Sequence, residues 1–93
     1  MDEFQLSSSQ ELNEHFEDLC DQAKSERRGM FALESADALM ARLRTNPFEV
    51  GEPLYELKQL QLQMRVVVRF PWCIHFFVDE KRRVYLTRID LMR

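Results

Sequence analysis

The sequence predicts an α+β fold, in which an N-terminal strand and a helical hairpin pack on one face of a mainly antiparallel sheet (β-α-α-β-β-β). Apolar residues recur at helical spacing through the first half of the chain, and they alternate with other residues in the second half. Helices followed by a meander of strands are typical of two-layer α+β domains. A chain of 93 residues suffices for one hydrophobic core, so residues 1–93 are predicted to form a single domain.

The first predicted elements are a short strand and an amphipathic helix. Phe4 to Leu6 are predicted to form the strand. Ser8 and Glu11 have the spacing of a capping box, which predicts a helix start there and a helix over 9–27. Acidic residues fill its outer face. Its apolar stripe consists of Leu12, Phe16, Leu19, Cys20 and Ala23.

A second helix is predicted over 30–44, because the apolar stripe changes phase after the first one. Arg27-Arg28-Gly29 is the expected break, since glycine favours helix ends, and Asn46-Pro47 ends the second helix. A single long bent helix is the alternative. The stripe of the second helix consists of Ala32, Ala36, Leu39, Met40 and Leu43.

Residues 45–53 are predicted to be a loop, because Pro47, Gly51 and Pro53 fall within it. Strict alternation from Leu60 to Arg69 predicts a strand, and a helical turn before it is an open alternative. Phe70-Pro71 forms a tight connection to a second strand, Trp72 to Val78. Residues 79–83 form a charged turn, and Val84 to Leu91 form the third strand of the meander.

Composition and charge exclude several classes of protein. Two cysteines do not make a disulfide framework, and no clustered metal-ligand or phosphate-loop motif occurs, so neither metal nor cofactor is expected. The chain has no apolar run of membrane-spanning length and no secretory leader pattern, which predicts a cytoplasmic protein. The net charge of −3 divides unevenly: residues 1–57 carry 5 basic and 13 acidic side chains, and residues 58–93 carry 8 and 3.

The excess of positive charge in the second half leads to a hypothesis of a basic sheet face. We expect the row from Leu60 to Val68 to face the helices, with Trp72, Ile74, Phe76, Tyr85, Ile89 and Leu91. The opposite face would then hold Arg65, Arg69, His75 and Arg88, together with Val84 and Leu86. Guanidinium groups on a rigid sheet suit phosphate binding. The alternative is a set of ordinary surface residues, with Arg88 paired to Asp90.

The order of elements and the stretch from Met64 to Ile89 resemble the RelE/ParE superfamily of toxin–antitoxin toxins. Pro47-x-x-x-Gly51 is similar to the family's segment after the helical hairpin. The resemblance implies the toxin component of a plasmid stabilisation-type system, with an antitoxin-like protein as partner. It implies either a ribosome-associated, metal-independent mRNA endonuclease or an inhibitor of DNA gyrase. Neither a membrane nor a small-molecule cofactor is expected as partner.

Candidate site residues follow from the same hypothesis. An RNA-cleaving site needs a group that moves a proton and a cation that holds the phosphate, so the catalytic candidates are His75, Arg65 and Arg69. The phosphate-binding candidates are Arg65, Arg69, Arg88 and Arg93. Cys73 occupies the place of the arginine that contacts the scissile phosphate in RelE-like nucleases. The alternative is therefore a catalytically inactive module, which docks a partner peptide on the exposed face or edge of the sheet.

Overall fold

A computed structural model describes residues 3–92 of the chain and confirms the α+β class. Two long helices pack on a five-stranded mixed sheet of order β1-β5-β4-β3-β2, in which only the β1–β5 pair is parallel. No helix within this range is long and apolar enough to cross a membrane. The helices are α1 (Gln10–Ser25), α2 (Gly29–Thr45) and α3 (Pro47–Val50); the strands are β1 (Gln5–Ser7), β2 (Glu52–Leu57), β3 (Leu62–Arg69), β4 (Trp72–Val78) and β5 (Arg83–Leu91).

The predicted helical hairpin is confirmed, with small differences at its ends. Ser9, not Ser8, caps α1: its side-chain oxygen accepts a hydrogen bond from the main-chain N–H of Leu12 at 3.1 Å. After α1, Arg27 takes the left-handed conformation (φ 63°), and the N–H of Arg28 donates to the carbonyl of Ala23. The break therefore precedes the predicted glycine, and Gly29 is the first residue of α2.

The predicted loop at 45–53 and the possible helical turn after it are wrong. The chain forms the short helix α3 and then the edge strand β2, which pairs antiparallel with β3. The alternation signal is missing because most of β2 is exposed and a register shift lies between Pro53 and Tyr55. Proline is tolerated at the edge of a sheet, where no neighbour needs its missing N–H.

The core lies between the helix pair and one face of the three central strands. Trp72, Ile74 and Phe76 of β4 are fully buried there. The indole Nε1–H of Trp72 donates to the carbonyl of Ala32 at 2.8 Å, and its ring lies 5.1 Å from that of Phe16. The indole is buried with its N–H group hydrogen-bonded, so this one side chain connects α1 and α2 to the sheet.

The predicted facing of β3 is wrong. Two residues, Phe70 and Pro71, connect β3 to β4, and the resulting register sets Val67 opposite Ile74. Val67 therefore faces the helices, while Met64, Val66 and Val68 point away from them. Because side chains alternate, a shift of one residue exchanges the two faces of the whole strand.

The predicted facing of β5 is also partly wrong. A bulge in the β4–β5 ladder lies between His75 and Phe76, and it changes the alternation along β5. Ile89 faces the core as expected, but Val84 and Leu86 are buried with it. Tyr85 instead lies on the opposite face, stacked on Phe77 with 4.9 Å between ring centroids.

Candidate functional site

The face of the sheet turned away from the helices is not covered by any helix of residues 3–92, and we call it the open face. The strand registers place side chains from four strands on it. Most are apolar or aromatic, which is unusual for a face without a helix layer. They are Glu52, Tyr55, Leu57, Leu62, Met64, Val66, Val68, Cys73, His75, Phe77, Tyr85, Thr87, Arg88 and Asp90.

A depression of about 320 Å³ lies in the middle of the open face. Met64 forms its floor and is only 7% exposed, although it lies outside the core cluster. The hydroxyl of Thr87, at the bulge, donates to the carbonyl of His75 at 3.2 Å and also contacts Met64 Sδ at 3.7 Å. The depression is lined by Leu54, Tyr55, Met64, His75, Thr87 and Arg88.

His75 is the titratable group best placed in this depression. It lies opposite Arg88 across the β4–β5 ladder. Its Nδ1 is buried and has no hydrogen-bond partner among the described residues. A general acid or base is normally oriented by a second group bonded to the imidazole. The depression therefore holds an imidazole and a guanidinium, but no described residue bonds Nδ1 of His75 to orient its ring.

Arg88 forms an ion pair on the open face. Its Nε donates to Asp90 Oδ2 at 2.8 Å, with side chains 70% and 41% exposed. This confirms the alternative in which Arg88 pairs with Asp90. The pair neutralises the one arginine that lines the depression, so the open face has little excess positive charge.

Arg65 lies on the helix-facing side of β3, which contradicts its predicted place on the open face. Its Nη2 donates to the main-chain carbonyls of Phe48 and Gly51, at 3.0 Å each. The guanidinium lies 5.4 Å from the centroid of the Phe48 ring. These contacts hold α3 and the following turn against β3. We therefore interpret Arg65 as a structural residue.

Arg69, the other predicted cation among residues 3–92, does not lie beside Arg88. Arg69 follows the same side of β3 as Arg65 and lines a groove with Arg42 and Glu49 at the edge of the sheet. Arg93 lies outside the described residues. The expected basic face, with Arg65 and Arg69 beside His75 and Arg88, is therefore not formed. The two-residue Phe70-Pro71 connection is the sequence signal that would have revealed this, because it fixes the register.

The two cysteines lie in different parts of the fold, Cys20 on α1 and Cys73 on β4. Cys20 packs against the core as predicted, and burial raises the pKa of its thiol, which disfavours the reactive thiolate at neutral pH. Cys73 lies on the open face, opposite Asp90 across the β4–β5 ladder. No group of three or more His, Cys, Asp or Glu side chains is placed to hold a metal ion in residues 3–92.

The apolar character of the open face is the feature of the candidate site that the sequence did not predict. Phe77 and Tyr85 stack on it, and a hydrogen bond to Tyr85 raises the pKa of Arg83 at its margin. Both rows of β3 contain valine, so the composition of the strand does not tell which row is buried. A scan against protein-family models finds no match, and comparisons with curated proteins and with solved structures find no significant match either.

Proposed function

We propose that this protein is a protein-binding module that docks a partner chain on the open face of its sheet. The observation that carries the proposal is the row of apolar side chains there. Val68 and Tyr55 are 60% and 52% exposed, and Val66, Phe77 and Tyr85 are half-buried. Exposed apolar surface that is contiguous rather than scattered marks interaction sites in soluble proteins. Full burial of a valine or phenylalanine side chain contributes about 1.5–3 kcal/mol, so a few such contacts support a specific complex.

The partner best suited to this face is a protein segment with an apolar stripe and few charges. Arg88 and Asp90 already neutralise each other at the margin, and a strongly charged ligand would find no matching excess charge. The resemblance to RelE/ParE toxins supplies a biological setting, because those toxins are held by an antitoxin segment. In that setting the occupant of the open face is the antitoxin-like partner of a plasmid stabilisation-type pair.

Site-specific crosslinking tests the module. A photo-reactive amino acid is placed at position 66 on the open face, or at position 41 on the exposed side of α2. In cells of the source organism, we expect one protein to be captured from position 66 and not from position 41. Equal capture from both positions, or none from position 66, contradicts the proposal.

Matched substitutions then measure the contribution of the face. With the captured protein purified, Val66→Lys should weaken binding at least about tenfold, because a charge replaces a buried contact. Ala41→Lys makes a comparable change on the outer surface of α2 and should leave the affinity unchanged. Calorimetric titration provides the measurement, and equal losses in both variants would refute the assignment of the face.

A second candidate is the ribosome-associated mRNA endonuclease, and the pairing of His75 with Arg88 beside the depression favours it. His75 would accept the 2′-hydroxyl proton, and Arg88 would release Asp90 to stabilise the phosphate. Purified protein added to a translation extract should then cut mRNA, and His75→Ala or Arg88→Ala should abolish cutting. Arg69→Ala is the control, because Arg69 lies on the other side of the sheet. Intact mRNA excludes this candidate, and a supercoiling assay tests gyrase inhibition.

A further inference from the structure

One end of β3 extends beyond its neighbour β2. The β2–β3 register ends at Glu52 opposite Val66, so Val67 to Arg69 have no strand on that side within residues 3–92. The chain enters β2 from α3 and Gly51, which lie on the helix side of the sheet. Arg69 and Trp72 close the two-residue β3–β4 connection as a hydrogen-bonded pair, so the main-chain groups of Val67 and Arg69 point toward β4 and those of Val68 point to the free side. The N–H and C=O of Val68 therefore remain available for main-chain pairing.

A groove of about 260 Å³ lies along this unpaired end of β3, and we call it the edge groove. Leu39, Val50 and Val67, from α2, α3 and β3, form its apolar part. Val68 also borders it, 60% exposed. The groove thus places apolar side chains, of which Val50 is partly exposed, beside the free N–H and C=O of Val68, so an extended segment can add to the sheet there.

The charged residues of the edge groove are Arg42, Arg69 and Glu49. The guanidinium groups of Arg42 and Arg69 form no hydrogen bond or ion pair with any described residue. With a single carboxylate among its lining residues, the groove has an excess positive charge. An acidic side chain that reached both arginines would complement this charge.

We propose that the edge groove binds an extended acidic segment of a partner protein by strand addition to β3. The segment bonds the free N–H and C=O of Val68, sets an apolar side chain against Val50, and places a carboxylate between Arg42 and Arg69. This site lies at the helix-side edge of the sheet, apart from the depression on the open face, and the proposal goes beyond docking on that face.

A pair of defined peptides tests the proposal. The probe is a fluorescein-labelled nine-residue peptide of alternating threonine and valine with one central aspartate, and its counterpart carries lysine at the centre. We expect fluorescence anisotropy to show binding of the aspartate peptide and at least about fivefold weaker binding of the lysine peptide. Amide chemical shifts should change at Val67 to Arg69 and not around Met64 or His75.

Charge reversal separates recognition from loss of folding. The double variant Arg42→Glu/Arg69→Glu should lose the aspartate peptide and gain the lysine peptide. The control Lys58→Glu/Lys81→Glu reverses two exposed charges beyond the ends of β2 and β4 and should bind both peptides as the natural chain does. No binding of either peptide at millimolar concentration, or equal binding of both, refutes the proposal. Preference for a nine-nucleotide single-stranded RNA, or self-association that the double variant abolishes, refutes it in favour of another occupant.

Discussion

At the scale of single residues, Gly51 shows how closely the chain approaches the core where α3 ends and β2 begins. A Cβ atom on Gly51 would overlap the ring of Phe76, which is fully buried on β4. Its φ of −99° is open to any residue, so the requirement for glycine is one of space and not of backbone conformation.

We expect Gly51→Ala to lower the free energy of unfolding by about 1–3 kcal/mol, because the Phe76 ring has to move within a packed core. Gln59→Ala is the control. Gln59 is exposed in the turn between β2 and β3, and the change should stay within about 0.5 kcal/mol. Urea unfolding followed through Trp72, the single tryptophan, measures both variants. Equal stability of the two would contradict the close approach.

At the scale of elements, Arg65 connects α3 to the sheet. Its two hydrogen bonds to main-chain carbonyls and its position over Phe48 fix a four-residue helix, which is too short to be stable alone. The sequence predicted that Arg65 binds an external phosphate. In the structure its guanidinium instead donates to main-chain carbonyl groups of the same chain. Arginine is well suited to both roles, because its planar group donates several hydrogen bonds at once.

Arg65→Ala should lower the free energy of unfolding by about 2 kcal/mol, because two carbonyl groups lose a charged donor. Arg69→Ala removes an exposed guanidinium from the same side of the same strand, and it should change stability by less than about 0.5 kcal/mol. Thermal unfolding by circular dichroism compares them. A smaller effect for Arg65 than for Arg69 would show that α3 does not depend on this contact.

At the scale of the whole molecule, one layer of helices covers one face of the sheet, and the other face carries partly exposed apolar side chains. The division depends on the register between β3 and β4, which sends Val67 to the core and Val68 outward. The two valines are adjacent in sequence, so substituting each in turn tests which of them is buried in the core.

Val67→Thr should lower the free energy of unfolding by about 1–3 kcal/mol, since it buries a hydroxyl group in the core. Val68→Thr makes the same chemical change on the exposed side and should cost about 0.5 kcal/mol or less. Chemical denaturation gives both values. The reverse order of stabilities would restore the facing first expected from the alternation, and with it the basic open face.

The sequence by itself determined the α+β class, the helical hairpin, the three long strands and the burial of Trp72, Ile74 and Phe76, because these follow from local periodicity and turn residues. Only the tertiary structure decided which valines of β3 are buried, that β5 carries a bulge, and that 52–57 form an edge strand. Register and bulges arise from pairing between strands distant in sequence. For that reason only the fold decided that Arg65 and Arg69 lie on one side of the sheet and Arg88 on the other.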